Sequence, residues 1–189
     1  MALAIAYIPV LPLVLLSRVG SACGRDGFFT ACGCLLALFP GKTGSYLRLA
    51  YYRCTLVSVS QDAVIGFGSY FSRRGAAIGK YVSIGAYCVL GDVILEDRVL
   101  LASRVSIPSG KRQHAQRFDT DNPSDDRIFD LVTIGSDCWI GEGAIIMADV
   151  GARCIVAAGS VVTRNMPAGR IISGNPARLL PEPSSIVNA

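Results

Sequence analysis

From residue 59 onward the apolar positions of this chain return every six residues. "IGKYVS" begins at Ile78 and "IGAYCV" at Ile84; "IGSDCW" begins at Ile134 and "IGEGAI" at Ile140; "VGARCI" and "VAAGSV" follow at Val150 and Val156. An aliphatic residue opens each unit, a small residue commonly comes second, and another often fills the fifth place, as at Ser69, Cys88, Cys138, Ala144, Cys154 and Ser160. A period of six is neither helical nor that of a simple alternating strand. A hexad that forms one short strand and one tight corner closes a triangular turn after three units, with the aliphatic residues toward the axis and small residues relieving the corners. Stacked turns then pair through parallel ladders and pile their aliphatic side chains into one core. The pattern predicts an all-β solenoid over residues 57–180, followed by a tail at 181–189. Two units are short: "LGDVI" at Leu90 lacks one residue and "IMAD" at Ile146 lacks two, so those rungs are expected to be tightened or distorted while the apolar register resumes after each.

Upstream the rhythm is different. "MALAIAYIPVLPLVLLS", Met1–Ser17, and "FFTACGCLLALFP", Phe28–Pro40, carry no charge. Each is shorter than the roughly 18 to 20 apolar residues that cross a bilayer, and Pro9 and Pro12 break the first further, which favours a helical, interfacial or re-entrant segment. Charge supports contact with a membrane surface. The 189 residues are 51% hydrophobic and 17% charged, with a net charge of +4. Residues 1–56 hold Arg18, Arg25, Lys42, Arg48 and Arg53 against Asp26 alone, so the whole excess is N-terminal and the remainder is balanced. Basic residues interleaved with Tyr46, Tyr51 and Tyr52 in "GSYLRLAYYR" suit the headgroup zone of an anionic cytoplasmic leaflet. The competing reading is a hydrophobic helical cap over one end of the main domain, which needs only one apolar face. No nucleic-acid partner is expected.

A secretory signal fits poorly, because no positive charge precedes the apolar run, Arg18 interrupts the approach to Cys23, and a second apolar segment follows. The seven cysteines, at 23, 32, 34, 54, 88, 138 and 154, are an odd number without a spaced framework and are expected to be reduced thiols. Cys32 and Cys34 form no four-ligand pattern, and a single histidine argues against a zinc site.

That histidine, His114, stands in the longest polar stretch of the chain, "PSGKRQHAQRFDTDNPSDDRIFD", Pro108–Asp130. Just under three turns precede the stretch and about two follow, so residues 108–131 must leave the prism as an extruded loop. Taken alone, its alternating basic and acidic side chains describe a solvated arm.

The segment "IGSDCWIGEGAIIMADVGARCIVAAGSVVTRNMPAGRIISGNPARLL", Ile134–Leu180, resembles the terminal part of the hexapeptide-repeat acyltransferases, the group that includes maltose, galactoside and serine O-acetyltransferases. The resemblance covers residues 59 to 180 and implies a left-handed parallel β-helix. It further implies a trimer with active sites between neighbouring prisms, acetyl-CoA as acyl donor, and a loop histidine as general base, a role only His114 can fill. Imidazole suits it, since an unperturbed pKa of about 6.5 lets it take a hydroxyl proton near neutrality and return it to the thiol leaving group. Asp119 and Asp121 are both near enough in sequence to orient the ring. By the same resemblance Ala158 and Gly159 present main chain to the pantetheine arm, Thr163 and Arg164 approach the nucleotide end, Arg178 reaches a phosphate, and Trp139 and Glu142 flank the acyl pocket. Arg164 stands where the family usually has lysine, a fork in place of a point donor, and Glu142 where a small polar residue is often found. Ala158 and Gly159 are equally explained as repeat corners. No cysteine neighbours His114 in sequence, so direct transfer without a covalent enzyme intermediate is expected.

These features together imply a CoA-dependent O-acetyltransferase of a sugar hydroxyl, on a lipid-linked or membrane-proximal glycan assembled at the cytoplasmic face of a membrane. An amino-sugar N-acyltransferase of the same fold and a non-enzymatic β-helix scaffold are the alternatives. A γ-class carbonic anhydrase, which needs several histidines, is disfavoured.

Overall fold

The computed structural model describes residues 2–22, 27–109 and 130–181. The hexads wind into a triangular prism of five complete turns. The first turn is β1 (Ser58–Val59), β2 (Val64–Ile65) and β3 (Tyr70–Phe71); the second is β4 (Ala77–Ile78), β5 (Ser83–Ile84) and β6 (Val89–Leu90). The third is β7 (Val93–Leu95), β8 (Leu100–Leu101) and β9 (Ser106–Ile107), and the fourth is β10 (Val132–Ile134), β11 (Trp139–Ile140) and β12 (Ile145–Ile146). In the fifth, a bridge at Val150 precedes β13 (Ile155–Val156) and β14 (Val161–Val162). β15 (Ile171–Gly174) opens a last partial turn, and β16 (Ala177–Leu179) folds back antiparallel on it. Three parallel sheets form the faces: β1-β4-β7-β10, then β2-β5-β8-β11-β13-β15, then β3-β6-β9-β12-β14.

The predicted register holds rung by rung. On the second face Ile65, Ile84, Leu101, Ile140, Val156 and Ile172 align in one ladder, and all six are buried. The fifth-place residues also turn inward, and several bond between rungs. Ser69 Oγ donates to the Gly85 carbonyl at 2.7 Å, Cys138 Sγ to Gly151 at 3.0 Å and Cys154 Sγ to Pro167 at 3.1 Å. Serine and cysteine at this place add a hydrogen bond between rungs, while Val82, Val99, Val105 and Ala144 fill it by packing alone. At the second place a Cβ on Gly135 would lie 2.4 Å from the Ala152 nitrogen of the next rung. Turns stacked at sheet spacing leave no room for it.

The N-terminal residues form three helices, α1 (Ala2–Ala22), α2 (Gly27–Ala37) and α3 (Gly41–Thr55). α3 packs on β1 and β2, α2 packs on β3, and α1 lies across α2 and α3. The helices close the open edge of the first turn, which would otherwise display unpaired main-chain groups. Buried Arg48 donates from Nε to the Ile65 carbonyl at 3.1 Å, and from Nη1 to Leu36 and Phe39 carbonyls at 3.1 and 2.8 Å. Phe71 N–H donates to Tyr52 Oη at 3.1 Å, and Gly68 N–H to the Ala37 carbonyl at 2.9 Å. Tyr51 Oη donates to the Phe29 carbonyl at 3.0 Å.

Two expectations change. Arg48, Tyr51 and Tyr52 are fully buried and hold the cap, so they are not at a headgroup zone. Polar atoms aimed at an open sheet edge and polar atoms aimed at lipid headgroups produce the same local sequence. Pro9 and Pro12 do not break the first segment, and α1 runs continuously through both. Each proline lies on the exposed side of the helix, and packing of Val10 and Val14 on the buried side offsets the lost hydrogen bonds. Residues Leu3–Ala22 are therefore a helix long and apolar enough to cross a membrane.

Candidate active site

Two edges of the prism repeat the same corner on every turn, and the third, between the third and first faces, does not. The described segments on this edge are residues 72–76, 91–92, 108–109 with 130–131, 147–149 and 163–165. Both short hexads fall here, as does the polar excursion. Where main-chain stacking is interrupted, side chains supply the acceptors. Asp92 Oδ1 accepts from Gly75 N–H at 2.9 Å and its Oδ2 from Arg73 Nε at 2.6 Å, while Asp92 N–H donates to Ser109 Oγ at 2.7 Å. Higher up, Asp149 Oδ1 accepts from Thr133 N–H at 2.8 Å and Asn165 Oδ1 from Asp149 N–H at 3.2 Å. These residues escaped the sequence reading, although an Asp-Val pair marks each shortened unit, at Asp92-Val93 and Asp149-Val150.

The excursion leaves this edge at buried Ser109 and returns at Asp130, whose N–H donates to the Ser109 carbonyl at 3.0 Å. His114, Asp119 and Asp121 lie outside the described residues. Above the base of the excursion is a depression of about 470 Å3 lined by Leu131, Met147, Asp149, Thr163 and Arg164, among others. Thr163 is half-buried and Arg164 exposed. Two of the expected coenzyme contacts therefore stand beside the root of the segment that carries the histidine.

The remaining candidates lie on the second face and along its edge with the third, from the fourth turn to β16. Trp139 projects outward from β11 between Leu100 and Ile155 of the adjoining rungs and is 52% exposed. Glu142, Ala158 and Gly159 are exposed at the edge between the second and third faces, where Gly159 N–H donates to the Glu142 carbonyl at 2.8 Å. Glu142 forms an ion pair with Arg104 of the rung below. Arg178, exposed on β16, turns its Nη1 to the Ala177 carbonyl at 3.0 Å. The set is thus divided between the irregular edge, with Thr163 and Arg164, and the edge between the second and third faces, with Glu142, Ala158 and Gly159, while Trp139 and Arg178 stand on the second face.

The described thiols offer no nucleophile here. Cys88, Cys138 and Cys154 are buried in the prism interior, and burial pushes the Cys138 thiol up to about 11.

Residues 131–164, the rungs that carry Trp139, Gly159 and Arg164, match the family described as bacterial transferase hexapeptide (six repeats). The chain is a hexapeptide-repeat solenoid. Over 57 residues it is 40% identical to a 2,3,4,5-tetrahydropyridine-2,6-dicarboxylate N-acetyltransferase of Staphylococcus aureus, an alignment covering 29% of this chain and 24% of that protein. The hexapeptide-repeat chain spans about a quarter of the length of the curated relatives it matches. Its fold is similar to that of a maltose O-acetyltransferase from Clostridium difficile, with a TM-score of 0.62 at 21% identity, over 80% of this chain and 83% of that one. It is also similar to an N-acyltransferase from Bacillus cereus, with a TM-score of 0.56 at 19% identity, over 71% and 89%.

Proposed function

We propose that this hexapeptide-repeat protein is a coenzyme A-dependent O-acetyltransferase acting on a sugar hydroxyl. The observation that carries the reading is the coincidence of the transferase repeat at residues 131–164 with the edge from which the excursion bearing the sole histidine departs. The site residues fit a coenzyme. Arg164 and Arg178 supply cations for phosphates, the depression beside Thr163 is of ligand size, and exposed main chain at Ala158 and Gly159 is free of bulky side chains.

In this reading His114 takes the proton of the acceptor hydroxyl as its oxygen attacks the thioester carbonyl of acetyl-CoA. The carbon–sulfur bond then breaks, and the imidazolium returns the proton to the departing thiolate. Acyl transfer is direct, in agreement with the buried prism thiols, of which Cys88 and Cys138 have their pKa raised by burial. Trp139 bounds the acyl end of the site. The relatives named for N-acylation keep amino-sugar N-acyl transfer as the second reading, with the same donor and base and an amine in place of the hydroxyl. The active assembly is a homotrimer, and residues 1–56 contact the cytoplasmic face of a membrane, which makes a lipid-linked glycan the acceptor.

Calorimetric titration of acetyl-CoA into the wild-type protein and into Arg178→Ala tests the proposal. Binding that weakens in the variant supports it. A folded protein that binds neither CoA nor its acetyl ester would leave a non-enzymatic scaffold.

A further inference from the structure

The outer side of α1 has the composition of a protein core, with none of the other described residues covering it. Ala6, Val10, Val14 and Ser17 are buried against the rest of the cap, whereas Ile5, Ile8, Leu11, Leu15, Leu16 and Val19 are 45 to 74% exposed. This strip is about 22 Å long at helical rise. Leu35, Leu38 and Phe39, at the end of α2 and just beyond it, enlarge the exposed apolar surface of the cap. The charged side chains of the three helices are Arg18, Lys42, Arg48 and Arg53, all basic, and of these only Arg48 is buried. An apolar strip whose charged neighbours among the described helices are all basic complements an anionic bilayer surface.

α1 is long enough to span a membrane, yet its polar contacts hold it on the cap. Arg74 Nη2 donates to both the carbonyl and the hydroxyl of Ser17 at 2.8 Å, Arg53 Nη1 to Tyr7 Oη at 2.7 Å, and Arg18 Nη2 to the Cys54 carbonyl at 3.2 Å. Leaving the cap would break these bonds and uncover the inner face. The order of layers is α1, then α2 and α3, then the first turn, while Trp139, Glu142, Ala158, Gly159, Thr163 and Arg164 all lie on the fourth and fifth turns.

We infer that the cap docks end-on against an anionic bilayer, with α1 in the interfacial plane and the prism standing away from it. Two interlayer spacings of about 8 to 10 Å and three rungs of about 4.8 Å place the fourth turn roughly 30 to 35 Å from that plane. The acceptor is then the outer part of a lipid-linked oligosaccharide and not the sugar attached to the lipid. The choice of acceptor rests on the acetyltransferase reading; the docking does not.

Trp139, the single tryptophan, serves as a ruler on the fourth turn. The full chain would be floated with vesicles of phosphatidylcholine and phosphatidylglycerol, with and without acyl-chain-brominated lipid as a fluorescence quencher. The inference expects co-flotation that weakens in high salt, no quenching of Trp139, and strong quenching of a tryptophan placed by Leu11→Trp in a Trp139→Phe background. Leu11 is exposed, so that substitution leaves the packing alone; Leu15→Trp provides a second site. Failure to float would overturn the docking surface, and equal quenching at positions 11 and 139 would lay the prism on its side and overturn the orientation. Acetyl-CoA titration of the same sample separates the two claims. Protein that floats upright without binding the coenzyme loses the acceptor assignment alone, and protein that binds it without floating loses the docking alone.

Discussion

Arg48 Nε donates to the carbonyl of Ile65 across 3.1 Å, from the middle of α3 to the open edge of the first turn. The same guanidinium holds Leu36 and Phe39, so one buried side chain ties two helices to the prism. Arg48→Met keeps the aliphatic stem but removes the donor to the buried Ile65 and Leu36 carbonyls and the part-buried Phe39 carbonyl, and is expected to cost on the order of 3 kcal/mol. Tyr52→Phe removes only the acceptor for Phe71 N–H and should cost about 1 to 2 kcal/mol. Urea midpoints measure both, and an Arg48→Met protein as stable as the wild type would show that the cap is not bonded to the prism in solution.

Glycines of the fourth turn should separate into two classes. Gly135→Ala drives a Cβ into the main chain of the next rung and is expected to lose more than about 4 kcal/mol or prevent folding. Gly143 has φ +68 but open space around it, and Tyr87 and Arg104 hold φ 59 and 60 at the same place on lower rungs. Gly143→Ala should cost only about 1 to 2 kcal/mol. Thermal melts of the two variants distinguish steric from conformational demand.

Alkaline stability follows from the buried thiols. Burial raises the Cys138 pKa from 9.0 to about 11, so the unfolded chain gives up this proton first as pH rises. The contribution is present in full below pH 9 and is lost as pH climbs toward 11. Cys88 and Cys32 shift the same way, also by burial. Melting temperature should fall across this window, and Cys138→Ser, which keeps a donor toward the Gly151 carbonyl, should flatten the fall. An unchanged slope would mean that Cys138 does not titrate as its burial requires.

For the chemistry, His114→Ala should reduce acetyl transfer by about 10²- to 10⁴-fold, the usual worth of a general base, while leaving the melt unchanged. Arg164→Ala should raise the KM for acetyl-CoA more than it lowers kcat. Full activity in His114→Ala would remove the proposed mechanism.

The register of the prism was legible because Ile65, Ile84, Ile140 and their counterparts meet one demand on every turn, and repetition makes a local signal visible. The cap was not, since Arg48 and Tyr52 satisfy a sheet edge that exists only after folding. Pro9 and Pro12 misled for a related reason, as local propensity yields when a helix has a surface to pack on. Of the site, the donor candidates on the fourth and fifth turns could be placed from the hexads. The division of those candidates between two edges, and the role of Asp92 and Asp149 in holding the irregular one, depended on how unequal segments stack.

The unequal edge separates inheritance of architecture from inheritance of specificity. The third edge already joins its rungs through connections as different as residues 91–92 and the stretch between Ile107 and Val132, and the ladders on either side stay in register. A descendant of this chain can lengthen, shorten or exchange the excursion between Ser109 and Asp130 while its hydrophobic column stays fixed. New acceptors are therefore reachable by grafting at one seam, with no need to re-solve the fold.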